Sequence, residues 1–174
     1  MALEKKPLVT FVGRLIYAKG VQHLIKACEG LDVDIVIIGD GPYKEQLEQL
    51  CRDSRCNCFF PGFLGLKEVI DWLKGSAIFV NPSYAEGLPT SVLEAGVVGL
   101  PVIATDVGGT SEIITHSYNG LLVKPKNEID LRFFIEKLLE DEELAQLFGQ
   151  RLRETIKKNF DWNKNIKKIE DLIK

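Results

Sequence analysis

Two pairs of residues in this chain are spaced for chemistry on a phosphorylated ligand. The first is a pair of cations, Arg14 and Lys19, in Gly13-Arg14-Leu15-Ile16-Tyr17-Ala18-Lys19-Gly20. The segment follows an apolar run and leads into a helical pattern, so both cations stand near a helix start. Dipole and side-chain charge add there, and a diphosphate fits. Solvated surface charge is the plainer reading of the same two residues. The segment has neither the G-x-x-x-x-G-K-[ST] of a P-loop nor the G-x-G-x-x-G of a dinucleotide fold, which weakens ATPase and dehydrogenase readings.

The second pair is acidic. Glu86 and Glu94 lie in Tyr84-Ala85-Glu86-Gly87-Leu88-Pro89-Thr90-Ser91-Val92-Leu93-Glu94. The backbone around Leu88, Thr90 and Ser91 opens a helix and forms a second anion site. A carboxylate such as Glu94 accepts hydrogen bonds from two adjacent ribose hydroxyls. Structural alternatives exist for both: Ser91 to Glu94 matches the S-x-x-E capping box, and Glu86 reads alone as a loop charge. Paired carboxylates also fit a glycoside hydrolase, but such an enzyme has no use for so many phosphate-type loops.

These residues need a scaffold that brings them to one edge. Short apolar runs at Leu8–Gly13, Val33–Ile38, Asn57–Phe60, Ala77–Asn81, Pro101–Thr105 and Leu121–Val123 read as strands. Between them, Gly20–Glu29, Pro42–Arg52, Leu66–Leu73 and Thr90–Val98 carry apolar residues at helical spacing, and Thr110–Ile114 is a short helix. From Asn127 the chain is helical to its end, with breaks near Glu140–Asp141 and Phe160–Asp161. Strand–helix alternation predicts an α/β fold: a doubly wound parallel sheet of about six strands, helices on both faces, and a helical C-terminal tail. The loops leaving the first five strands all carry glycine or proline, so the ligand crevice is expected at the carboxyl edge.

Composition agrees with one globular domain over residues 1–174. The chain is 45% hydrophobic and 27% charged, which excludes a disordered or fibrous protein. A chain of this length buries roughly 70% of its unfolded surface and needs no metal or disulfide to hold a core. A net charge of −3 argues against general nucleic-acid binding. Residues 151–174 are basic, with eight cationic and four acidic side chains. Cys28, Cys51, Cys56 and Cys58 raise a zinc reading, but the spacing is poor and only His23 and His116 could join them. Reduced, buried thiols in a cytoplasmic protein are the expectation. The two histidines read as surface or packing residues. Asp32-Val33-Asp34 spells D-x-D but precedes a strand, at the amino edge opposite the crevice. No apolar leader or membrane-length apolar run is present in the sequence.

Taken together, the motifs resemble the C-terminal, donor-binding domain of family 4 (group 1) glycosyltransferases of the GT-B fold, a Rossmann-like domain. The matching pieces are Phe11-Val12-Gly13-Arg14 with Lys19-Gly20, Ile37-Ile38-Gly39-Asp40-Gly41-Pro42, Phe60-Pro61-Gly62, Asn81-Pro82-Ser83, Glu86-x₇-Glu94, and Gly99-Leu100-Pro101-Val102-Ile103-Ala104-Thr105 followed by Gly108-Gly109. The resemblance implies that Arg14 and Lys19 hold the diphosphate of a UDP-sugar or GDP-sugar and that Gly13 lets the backbone approach it. It implies that Glu94 binds the ribose, Glu86 contacts the transferred sugar, Leu88, Pro89 and Thr90 face sugar or phosphate, and the backbone near Phe63 recognises the base. It further implies hexosyl transfer with retention, without a metal or other cofactor. The acceptor half of such an enzyme is expected on a separate N-terminal domain, which would also make any membrane contact. The expected result is a chain that binds nucleotide but transfers sugar weakly or not at all alone. A non-catalytic nucleotide-sugar-binding regulatory module is the alternative.

Overall fold

A computed structural model describes residues 6–160. Its six strands are β1 (Leu8–Val12), β2 (Asp34–Ile38), β3 (Asn57–Gly62), β4 (Ile78–Asn81), β5 (Val102–Thr105) and β6 (Leu121–Val123). The helices are α1 (Val21–Ala27), α2 (Lys44–Asp53), α3 (Leu66–Lys74), α4 (Thr90–Val98), α5 (Thr110–Ile113), α6 (Glu128–Glu140) and α7 (Glu142–Asn159). All five strand pairs are parallel, in the order β3-β2-β1-β4-β5-β6. The order reverses between β1 and β4, the adjacent strands from which the two halves of the sheet wind outward.

Alternation along the strands sorts the core into two layers, because successive side chains point to opposite faces. Val9, Phe11, Ile35, Ile37, Ile78, Val80 and Ile103 pack under α1, α2 and α6 through Leu24, Leu47 and Ile135. Val36, Ile38, Phe79, Val102 and Ala104 pack under α3, α4 and α7 through Leu73, Val92 and Leu152. Burial on both sides accounts for the unbroken apolar run of β2.

The predicted elements that fall within the described residues are present, with altered ends. A 3-10 turn at Tyr17–Lys19 precedes α1, which is shorter than its apolar pattern. Strand β3 runs on to Gly62, past Pro61, with an irregular register against β2. Proline is tolerated there because β3 is an edge strand. The break near Glu140 is a capped start: Asp141 Oδ1 accepts the N–H of Leu144 at 3.0 Å. The predicted closing helix from Asp161 lies outside the described residues, as does most of the basic C-terminal stretch.

The expectation of four reduced thiols is corrected. Cys51 and Cys58 form a disulfide with Cα atoms 6.3 Å apart. A tight turn with Arg55 at φ 55° folds the end of α2 back onto β3 and brings the two residues within bridging reach. Cys28 and Cys56 are free, and burial pushes the Cys28 thiol up to about 12.

Helix α7 crosses α4 at two glycines. A Cβ at Gly149 would lie 2.8 Å from the carbonyl carbon of Gly99 and still closer to its oxygen. Neither backbone can move aside cheaply, so Gly149→Ala is expected to destabilise the fold by about 1–3 kcal/mol, measured by chemical denaturation; unchanged stability would show that the crossing tolerates a wider spacing.

Candidate functional site

The crevice opens where the chains leaving β1 and β4 part. The β1 loop is anchored on the β2 loop: Gly13 N donates to Ile38 O at 3.0 Å, Leu15 N to Asp40 O at 2.8 Å, and Tyr43 N to Leu15 O at 2.9 Å. It is anchored on the β4 loop as well, through Tyr84 N to Ala18 O at 2.8 Å. Two glycines permit close packing on the β4 loop, one from the β1 loop and one from the β5 loop. Gly20, at φ 69°, lies against the carbonyl of Pro82, and Gly108, at φ 53°, against that of Glu86. Neither position has room for a Cβ, and both adopt the left-handed conformation that glycine tolerates. Sequence alone reads the rim glycines as allowing either ligand approach or positive φ; these two have positive φ and serve loop-on-loop packing.

Lys19 and Glu86 meet across this seam. Lys19 Nζ donates to Glu86 Oε1 at 2.7 Å, with 24% of the lysine and 9% of the glutamate side chain exposed. Asn81 Nδ2 donates to the same oxygen at 3.3 Å, and Ser83 Oγ orients Asn81 by donating to its Oδ1 at 2.8 Å. Burial of the Glu86 carboxyl works to raise its pKa, but bonds from Lys19, Ser83 and Asn81 and the lysine charge outweigh it and hold the group below the usual carboxylate range. Glu86 is therefore more than a loop charge, and Lys19 already carries an anionic partner. Asn81 and Ser83 were legible only as part of a motif, without a role; their value comes from β4 ending beside β1.

Arg14 is exposed and has no acidic partner among the described residues. It lines a hollow of about 270 Å³ with Val12, Gly13, Ile38, Gly39, Asp40, Phe63, Leu64 and Val69. Its mainly apolar walls span the carboxyl ends of β1 and β2 and the segment after β3. Phe63 is 85% exposed at its edge.

Helix α4 starts as expected at Thr90, but the capping-box reading of Glu94 is corrected. Pro89 is the N-cap residue, its carbonyl accepting from Val92 N at 3.1 Å, and Ser91 is already inside the first turn. The N–H groups of Thr90 and Ser91 have no acceptor among the described residues. Glu94, one turn further, is half-buried without a hydrogen-bond partner there, and burial alone raises its pKa. Leu88 and Thr90 are exposed, while Pro89 is buried.

The remaining candidates separate. The Asp32-Val33-Asp34 motif sits at the amino edge, where Asp32 pairs with Lys6 at 2.8 Å and Asp34 accepts from Asn57 at 2.7 Å. His116 Nδ1 accepts the N–H of Leu122. His23 is not a bystander: its ring bonds Tyr84 and Glu128 beside the Lys19 loop. Nothing in its sequence neighbourhood signals this, since both partners come from distant elements.

The Lys19–Glu86 pair predicts an acid dependence. A carboxyl held below its unfolded value contributes stability that is present above that value, near 4.5, and is lost as pH falls through the folded one. Glu86→Gln should therefore lose less stability than the wild type between pH 5 and pH 3, in melting curves recorded across that range; parallel curves would show that the pair contributes nothing.

A family model described as glycosyl transferases group 1 matches residues 2–155. An uncharacterized glycosyltransferase of Methanocaldococcus jannaschii is 31% identical over 178 residues, which cover 98% of this chain and 45% of the relative. The chain thus spans between 32% and 45% of the length of the curated relatives it matches. A solved C-terminal domain of a glycosyl transferase group 1 family protein from Francisella tularensis is 28% identical, with a TM-score of 0.82 over 91% of this chain and 88% of that one. A Staphylococcus aureus TarM variant, solved with Fondaparinux, alpha-GlcNAc-glycerol and UDP, is 26% identical, with a TM-score of 0.87 over 96% of this chain and 35% of that one. Among the described residues, no helix is long and apolar enough to cross a membrane.

Proposed function

The chain belongs to the group 1 glycosyl transferases, and on that premise we propose that it is the donor-binding half of a retaining hexosyltransferase. It takes a UDP-sugar or GDP-sugar in the crevice between β1 and β4. The hexose passes to an acceptor when this half is joined to an N-terminal acceptor-binding domain. The observation that carries the reading is the convergence of Lys19, Glu86 and Asn81 at the switch in strand order, where open α/β sheets bind ligands. The TarM variant solved with UDP supports the nucleotide class.

Each residue then has a task. Arg14 and Lys19 neutralise the charge that grows on the diphosphate as the bond from sugar C1 to phosphate oxygen breaks, and the start of α4 adds its free N–H groups. Together these supply the stabilisation that the leaving group requires, without a metal ion. Each charge-assisted bond to phosphate contributes about 1.5–3 kcal/mol. Gly13 leaves room for the diphosphate beside Arg14. Glu94, half-buried and unpartnered, accepts from the ribose hydroxyls. Leu88, Pro89 and Thr90 form the wall toward the sugar, and the backbone at Phe63 reads the base at the mouth of the apolar hollow. Glu86 contacts the sugar once the phosphate draws Lys19 away.

Calorimetry with UDP, GDP and ADP tests this. One nucleoside diphosphate is expected to bind, and Arg14→Ala or Lys19→Ala to weaken it about tenfold or more. Glu86→Gln removes the internal anion that competes for Lys19, so it should tighten nucleoside diphosphate binding severalfold. Wild-type affinity in both alanine variants would refute the site.

A transfer assay separates enzyme from regulatory module. The chain alone is expected to transfer little sugar, and the same chain joined to an acceptor-binding domain to transfer it with retention. Binding without turnover in the joined protein would favour the module.

A further inference from the structure

Tyr84 lies two residues before Glu86, and its contacts run to the loop that carries Lys19 and to the helices behind it. Its backbone N–H holds Ala18 O at 2.8 Å, and its ring meets that of Tyr17 edge-on, with centroids 5.6 Å apart at 78°. Its hydroxyl oxygen lies 2.6 Å from Gln22 Nε2 and 2.5 Å from His23 Nε2. Beyond the imidazole, His23 Nδ1 lies 2.7 Å from Oε1 of Glu128, the first residue of α6, which Lys26 Nζ also approaches at 3.5 Å. Lys126 stands over the Tyr84 ring, 4.8 Å from its centroid.

The contacts fix the donors at the two ends of this cluster. Gln22, 5% exposed, directs Nε2 at the carbonyl of Tyr17 at 3.2 Å, a contact only its nitrogen can make. The same nitrogen donates to Tyr84, so the phenolic oxygen accepts there; toward His23 Nε2 it donates when the ring is neutral with its proton on Nδ1 and accepts when both ring nitrogens carry protons. In both cases Nδ1 carries a proton, which the Glu128 carboxylate receives. The bonds form an unbroken chain from Gln22 through Tyr84 and His23 to Glu128. Burial, with Tyr17 adding to it, pushes the Tyr84 phenol up to about 12, which keeps the hydroxyl a donor rather than a nucleophile.

We propose that Tyr84 is a positioning residue: its hydroxyl, locked by Gln22, His23 and Glu128, fixes where Lys19 stands and thereby sets the affinity of the crevice for a pyrophosphate. It acts through the 3-10 turn Tyr17–Lys19, which it grips by a backbone bond, by ring contact, and by Gln22, which bonds both the hydroxyl and the carbonyl of Tyr17. The inference rests on the donor-binding reading above.

The test is a double-mutant cycle in the 174-residue chain, read by calorimetry with whichever of UDP, GDP and ADP the wild type binds. Tyr84→Phe keeps the ring and deletes the hydroxyl; it should weaken binding about fivefold and have no further effect in a Lys19→Ala background. A general loosening of the fold would weaken both backgrounds equally, and that result, or an unchanged affinity in Tyr84→Phe, would overturn the proposal. Glu128→Ala, on the more exposed end of the chain of bonds, should repeat the same cancellation and serves if Tyr84→Phe does not fold. Nitrogen NMR of the His23 ring supplies a second readout: a proton is expected on Nδ1, with or without one on Nε2, and a proton on Nε2 alone would leave the Glu128 carboxylate without a donor and defeat the lock. If the wild type binds none of the three nucleotides, the donor-binding reading fails instead, an outcome visible before any variant is made.

Discussion

One bond organises this molecule: the contact of Lys19 with Glu86 across the line where the sheet changes direction. Winding outward from β1 and β4 makes the loops leaving those strands diverge. Left alone, they would form a wide groove. The backbone bond from Tyr84 to Ala18 and the bare Cα of Gly20 against Pro82 draw the groove in until a lysine and a glutamate touch, and the bare Cα of Gly108 seats the β5 loop against the carbonyl of Glu86. An anion entering there exchanges one partner of Lys19 for another, so part of the desolvation of that cation is already met by the fold.

The rest of the crevice is defined by polar groups that the fold leaves without partners. Native interiors satisfy nearly all of their buried donors and acceptors. Here the first N–H groups of α4 and the half-buried carboxyl of Glu94 lack partners among the described residues, and Arg14 lacks a counter-charge. The half-buried Glu94 carboxyl costs stability in the empty molecule, whereas Arg14 and the α4 start at Thr90 face water and exchange it for a ligand of matching polarity. Helix dipole and cation favour negative charge on one side, while an acidic acceptor favours hydroxyls on the other. A nucleoside diphosphate carries both.

The scaffold could be read from sequence because each strand lies in one continuous apolar run and each helix shows its own period. The run at β2 announced burial on both faces, and the carboxyl-edge loops followed from the order of the elements. What depended on distant neighbours could not be read. Lys19 and Glu86 are 67 positions apart, and only the adjacency of β1 and β4 joins them. The capping motif at Ser91 was misleading because Pro89, whose ring fixes φ, had already begun the turn. The Cys51–Cys58 bridge depends on a left-handed turn at Arg55, a residue type that gives no hint of that conformation. His23 offered no local cue at all, since its role comes from Tyr84 and Glu128.

The two bare Cα atoms at Gly20 and Gly108 also constrain how such a crevice diversifies over evolution. Backbone pressed against backbone admits no insertion or added side chain, so the floor is frozen. Novelty is confined to residues whose side chains project from the rim, such as the exposed Phe63, Leu88 and Thr90. New ligand preferences then arise by point replacement on a constant frame, each step small and separately reversible.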